Sequence, residues 1–406
     1  MNIPYTFRNQ DADYLTIPCM KEFCSEQKIG TRQTRDELIK LIEDYASLND
    51  YNCEVVQSWL DTVLKIGIKT CMMAKIHYTD ELNETVVLKK IKTKYPSCSH
   101  EHICQHTPKD DFELINYRLV RENGELIKIE FVFIIKIVRA IDMYSSSGVT
   151  IAYPIFVDID LKNYFYICRA KSMSNIFKID KDNEINPSKR IYPETLMKHC
   201  ENIVRKVLEY QVEETRISKN AFKRTIFNIL DEYTQTPAVI KKDIDTAFPI
   251  CEAFVKKIFS ELKLTASREA YNDALYDLTI FIEKYSSILY PNDDIFIQDR
   301  KAYPVKFLAQ DNEFTKIQET SNGNTDPLQR KKAFFDSKKT IYTDKKCDKI
   351  CLCHQREETK YYGRKPYNVQ IFISGSSCVV KFSSFVKEGD IQNVLSRVIQ
   401  LYNVQR

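Results

Sequence analysis

Three of the six histidines in the chain lie in the stretch Cys98-Ser99-His100-Glu101-His102-Ile103-Cys104-Gln105-His106, where cysteine and histidine alternate with other residues. In an extended strand alternate side chains share one face. Imidazole nitrogen and thiolate sulfur at about 2.0–2.3 Å are the donors that zinc favours, so Cys98, His100, His102, Cys104 and His106 are candidate metal ligands. Zinc is the one cofactor the sequence suggests, and nothing else in the chain requires any. Same-face residues along a strand span too far for one ion. A closed site would therefore draw on the other dense donor cluster, Cys347, Cys351, Cys353 and His354. Neither spacing is that of a paired C-x-x-C ribbon or of a zinc finger.

Paired carboxylates come next, because nucleases hold divalent metal on them. Asp158 and Asp160 would share a strand face, and Ser147-Gly148 precedes them at about the interval of nucleotidyl transferases. That motif needs a helix between its Gly-Ser and its acids, whereas residues 149–157 (VTIAYPIFV) are strand-like and contain a proline. Asp142, Asp160 and Lys162 imitate the acid, acid-x-lysine arrangement of restriction-type nucleases, in which the acids bind Mg²⁺ and the lysine orients water. Lys162 falls in an expected turn, so a hairpin tip explains these residues more simply. Only eight glycines are present, and no phosphate loop, G-x-S-x-G elbow or H-E-x-x-H helix occurs. The sequence names no catalytic residue and reads as non-enzymatic.

The charge is unevenly placed. Sixty Lys and Arg against 56 Asp and Glu leave a net charge of +4, while residues 301–406 alone carry +8. Arg330, Lys331, Lys332, Lys338, Lys339, Lys345, Lys346, Arg364 and Lys365 stand out there, with Tyr361 and Tyr362 among the interleaved rings. Cations release counterions from phosphates and rings stack on unpaired bases, so these residues form a candidate nucleic-acid surface, for DNA or RNA. The plain alternative is a solvated loop kept soluble by its lysines.

The elements that would position these groups are legible in part. Thr34 with Glu37 makes a capping box ahead of one helix, a second carries Val56, Trp59, Leu60 and Val63, and Gly67 is placed to stop it. Asn123-Gly124 predicts a tight hairpin between residues 112–121 and 125–138, and residues 149–159 and 164–170 predict a second pairing. Residues 179–193 read as a linker. Apolar residues recur at helical spacing after it: Leu196 to Val207; Phe222 to Tyr233; Ala247, Ile250, Cys251, Phe254 and Ile258; Tyr271 to Ile282. Alternation around Gly375 predicts a last hairpin, and Ile391 to Leu401 a last helix.

The fold class is thus α+β: an N-terminal helical module (1–82), an antiparallel β domain (83–180), a helical bundle (193–290) and a basic C-terminal unit (301–406) with a β-hairpin plus helix. No apolar run spans a membrane and no signal peptide is evident, which places the protein in the cytoplasm. Thirteen cysteines, an odd number, point to reduced and mostly buried thiols. High Lys, Ile, Asn and Tyr content reads as AT-rich bacterial coding. The expected function is a non-catalytic nucleic-acid-binding component of a bacterial complex. The alternatives are a metal-dependent nuclease and a scaffold subunit whose helices bind a protein partner.

Overall fold

The structure, a computed structural model, describes residues 1–8, 14–78, 82–96, 98, 101–140, 148–178, 190–265, 267–310, 316–320 and 325–404. Its elements begin with α1 (Tyr5–Arg8), α2 (Ile17–Glu26), α3 (Arg35–Ala46), α4 (Asp50–Lys65), β1 (Lys69–Tyr78) and α5 (Glu84–Lys94). Strands β2 (Glu113–Glu122), β3 (Glu125–Ala140), β4 (Gly148–Asp160), β5 (Phe165–Lys171), β6 (Ile176–Lys178) and β7 (Arg190–Ile191) follow. Next come α6 (Pro193–Leu208), β8 (Tyr210–Val212), α7 (Thr215–Tyr233), α8 (Ala238–Glu261), α9 (Arg268–Leu289), β9 (Ala302–Gln310) and β10 (Lys316–Thr320). Last are α10 (Lys332–Asp344), β11 (Lys349–His354), β12 (Tyr367–Ser374), β13 (Ser377–Phe382) and α11 (Glu388–Val404). The class is mixed α+β with antiparallel strands.

Local chemistry sets the boundaries. The Thr34 hydroxyl accepts from the Glu37 amide while the Glu37 carboxylate accepts from the Thr34 amide, so two orphan donors of α3 are satisfied at once. At α4 the Asn49 side chain accepts from the Asn52 amide, and the chain leaves the helix through Gly67 at φ +93°. Asn123 at φ +52° and Gly124 at φ +86° close the β2–β3 hairpin, as the Asn-Gly dipeptide predicts. Gly375 at φ +61° turns β12 into β13.

The chain folds as two compact units: Met1–Lys219 with Arg356–Tyr367 and Ser374–Ile399, and Asn220–Gln355 with Asn368–Ile373 and Gln400–Arg406. In the first unit the strand order is β13-β1-β5-β4-β3-β6-β7, with β2 paired to β3 and β8 to β1. Strand β5 is buried along its whole length, because layers cover both faces. Cys168 points to α6, where its Sγ donates to the Met197 carbonyl, and Arg169 points the other way, to the last turn of α4. In the second unit the order is β10-β9-β11-β12; α10 packs on β10 and α9 on α10, and Tyr233 of α7 meets His354 of β11 edge to face.

Of the four helices expected to bundle, α6 lies on β4 and β5 of the first unit, while α8 and α9 pack on each other in the second. Strand β1, within the stretch read as a helical module, is a finding of the structure. All thirteen cysteines are free thiols, eleven of them buried and Cys53 and Cys98 half-buried. No helix among the described residues is long and apolar enough to cross a membrane.

Candidate functional site

The Cys98 to His106 stretch does not form the strand that would align its donors. Residues 103–105 make a 3-10 turn, which breaks the alternation, and His100 lies outside the described residues. His102 is instead held by two carboxylates on α4: Nδ1 lies 2.7 Å from Asp61 Oδ2 and Nε2 lies 2.9 Å from Glu54 Oε1. His106 Nε2 lies 3.1 Å from Glu113 Oε2 on β2. Cys104 is buried, and desolvation pushes its thiol up to about 12, away from the thiolate that a metal needs. Cys351 and Cys353 pack with Tyr303 and Val305 in a core cluster, and Cys347 Sγ donates to the Leu308 and Lys349 carbonyls. The two donor clusters belong to different units. Among the described residues no group of three His, Cys, Asp or Glu is placed to hold a metal ion.

What the stretch does form is a histidine latch on α4. Burial opposes the charged ring of His102, but the hydrogen bonds and charges of Asp61 and Glu54 outweigh it and raise its pKa above the ordinary histidine value. A folded-state pKa raised in this way contributes stability that is complete below the unfolded value, about 6.5, and is lost as pH rises through the folded value. A His102→Gln variant should therefore lose up to about 1 kcal/mol relative to wild type near pH 6 and less near pH 8.5. Urea midpoints at the two pH values measure this, and a penalty that does not shrink at the higher pH contradicts it.

The acidic motif resolves into a turn. Asp160 Oδ1 accepts from the Asn163 amide and Oδ2 from the Asn163 side chain, each at 2.8 Å, which is an aspartate-capped hairpin tip between β4 and β5. Lys162 pairs with Glu122 across the sheet, 2.9 Å away. Asp142 lies outside the described residues.

The basic quarter is divided between the units and partly neutralised. Arg330 pairs with Asp293 and donates to the Ser287 and Tyr290 carbonyls. Lys331 lies 3.4 Å from Asp326, and Lys339 bridges Asp273 and Asp277 on α9 at 2.8 Å each. Lys338 is buried: its Nζ meets Glu283 Oε2 at 2.5 Å, with side chains only 9% and 7% exposed, so it is a core residue of the α9–α10 contact. Lys332, Lys345, Lys346, Arg364 and Lys365 have no carboxylate partner among the described residues, but the last two belong to the first unit and the others to the second. Tyr362 stacks on Phe385 with ring centroids 4.9 Å apart and carries the Lys387 ammonium over its other contacts, so that ring is already engaged. Tyr361 lies half-buried beneath the Lys360 ammonium.

The feature that sequence reading did not single out is the outer face of the α8–α9 pair. Ile240, Cys251 and Val255 are the buried residues of α8, and Tyr271 of α9 packs its ring on Phe259 with its hydroxyl donating to the Glu252 carbonyl. Ile250, Phe254 and Ile258, which the helical spacing predicts as core, are 71%, 54% and 40% exposed. On α9, Phe281, Tyr285 and Leu289 repeat the same i, i+4, i+8 stripe at 53%, 39% and 74%. At 100° per residue the α8 stripe sits about a quarter-turn before the seam of Cys251 and Val255, and on α9 Phe281 and Tyr285 sit about 80° and 40° before the line of Tyr271, with Leu289 about in line with it. The helices run antiparallel, so the rotation reverses between them and both stripes come to one side of the pair.

Protein families, curated proteins and solved structures offer no match to the chain. The functional reading therefore rests on its own surfaces. The signal for this one was present in the sequence: α8 carries apolar residues over a wider arc than a single contact seam can bury.

Proposed function

We propose that the protein is a non-catalytic assembly subunit that docks on another polypeptide through the outer face of α8 and α9. The observation that carries this is the pair of solvent-facing stripes. Six large apolar side chains, each roughly half exposed, offer on the order of 600 Å² of apolar surface. That is at the upper end of what a monomer leaves uncovered, and patches of this size mark interaction sites. Among the described residues, Asp160 is taken up in a turn and His102 and His106 on carboxylates, which favours the same reading.

Four of the nine basic-quarter cations singled out in the sequence are held by carboxylates, and the other five are divided between the two units, which is why a nucleic-acid role is the second choice. It would rest on Lys332, Lys345, Lys346, Arg364 and Lys365, and steeply salt-dependent binding to labelled DNA or RNA would restore it.

The docking reading is tested with Phe254→Glu and Phe281→Glu together. Both positions are exposed, so the unfolding midpoint should move by less than about 0.5 kcal/mol. In extracts of cells making the chain at native level, wild type should migrate well above the mass of one chain, and the double variant should migrate lower. Equal migration of the two proteins would refute the proposal.

A further inference from the structure

We infer that the occupant of the α8–α9 face is a second copy of this chain, paired through a two-fold axis at Ile250. The inference rests on the proposed docking role and names the partner.

Three observations carry it. First, charge is self-complementary about Ile250. Asp243 lies seven residues before it and Lys257 seven residues after it, both are exposed, and neither has an ion-pair partner among the described residues. In an antiparallel pairing of α8 with α8 about Ile250, Asp243 of each copy falls opposite Lys257 of the other, which gives two equivalent ion pairs from one operation.

Second, size is complementary in the same register. Phe254 falls opposite Thr246 and Ala247, small residues that leave room for a ring. Thr246 already satisfies its hydroxyl by donating to the Lys242 carbonyl 2.8 Å away, so it has no need of water. Ile250, the most exposed residue of the α8 stripe, meets its own copy at the axis. The stripe thus presents large and small side chains in an order that interdigitates with itself.

Third, the same register completes the α8 stripe. Ile258 of one copy falls opposite Lys242 of the other, whose methylene stem can lie over the isoleucine. A contact confined to α8 is smaller than the roughly 800 Å² per partner of a standard interface, which suits a reversible dimer.

The test uses the purified full chain in sedimentation velocity over a micromolar concentration series. The expected result is a reversible dimer with twice the chain mass. Ile250→Asp should weaken association by more than a hundredfold, since it places two like charges at the axis. Asp243→Lys alone and Lys257→Asp alone should each weaken it about tenfold, and the two together should restore it. Circular dichroism of each variant should match wild type, because all three positions are exposed. A monomer at every concentration, a dimer indifferent to Ile250→Asp, or a charge-swapped double variant no better than the singles would overturn the inference. If the purified chain is monomeric while the extract assembly is still lost in the Phe254→Glu, Phe281→Glu variant, the docking role stands and the partner is a different chain. If the extract assembly is also unchanged, both fall.

Discussion

Replacing Arg169 with methionine is expected to cost about 2–3 kcal/mol of stability, a sizeable part of the roughly 5–15 kcal/mol that holds a typical domain folded. The loss stays below that of a fully buried pair because the Glu388 side chain is 44% exposed. Arg169 stands on β5, buried on the face that meets α4. Its guanidinium donates through Nη1 and Nη2 to the two oxygens of Glu388 in the first turn of α11, and Nη1 also reaches the Lys65 carbonyl at the end of α4 at 3.2 Å. One planar fork thus ties a strand to two helix ends, and its removal strands charges that it now balances. Burial alone would raise the Glu388 carboxyl, and the Arg169 charge and hydrogen bonds instead hold it below the usual carboxylate range. Asp158 on β4, where burial dominates and the pKa is raised, also loses a compensating charge.

The sign of the pH dependence follows. A depressed Glu388 contributes stability that is present above its unfolded pKa, about 4.3, and is lost as pH falls through the lower folded value. The difference between wild type and Arg169→Met should therefore be largest at neutral pH and shrink in acid, where a protonated Glu388 no longer needs the guanidinium. Arg169→Lys should fall between the two, because an ammonium keeps the charge but not the two-pronged geometry. Urea midpoints across the pH range measure all three proteins. A neutral-pH loss below about 1 kcal/mol for Arg169→Met would show that the pair contributes little.

Lys338→Met should cost about 3 kcal/mol, and adding Glu283→Leu should recover most of it. The physical reason is an asymmetry of buried ion pairs. Removing one partner leaves the other charge in an apolar setting, whereas replacing both with apolar groups of similar volume removes the desolvation cost as well. Glu283 also accepts from the Thr236 hydroxyl at 2.7 Å, and Lys338 lies over the rings of Phe335 and Tyr342, so the site is packed on several sides. The neighbouring Lys339→Ala is the control, since its bridge to α9 is solvent-screened and should be worth less than about 1 kcal/mol. Equal losses for Lys338→Met and Lys339→Ala would mean that burial does not separate them. The same series bears on function: a lysine that stabilises the fold from inside the α9–α10 contact has no ammonium to offer a phosphate.

The sequence by itself determined the features whose chemistry is local. The capping box at Thr34, the left-handed pair Asn123-Gly124, the turn at Asp160 and the glycine at 375 each satisfy or redirect backbone groups within a few residues, so their side chains announce them. The amphipathic periods of α6, α8, α9 and α11 were legible for the same reason. Strand β1 was not. Its burial runs almost unbroken from Lys69 to Ile76, because it lies between β5 and β13 with both faces covered, and a strand buried on both faces loses the alternation that marks a strand in sequence.

Tertiary structure alone decided which charges and which apolar stripes found partners. Lys338 and Lys332 look alike in sequence, yet one is buried on Glu283 and the other faces solvent, since a helix wheel shows which face a residue takes but not what stands opposite. Likewise Cys251 and Ile250 are neighbours in one apolar run, and only the approach of α9 buries the first and leaves the second exposed. Periodicity records that a helix has a face to cover. The meeting of elements far apart in the chain determines which part of that face is covered within the molecule and which part is left for another.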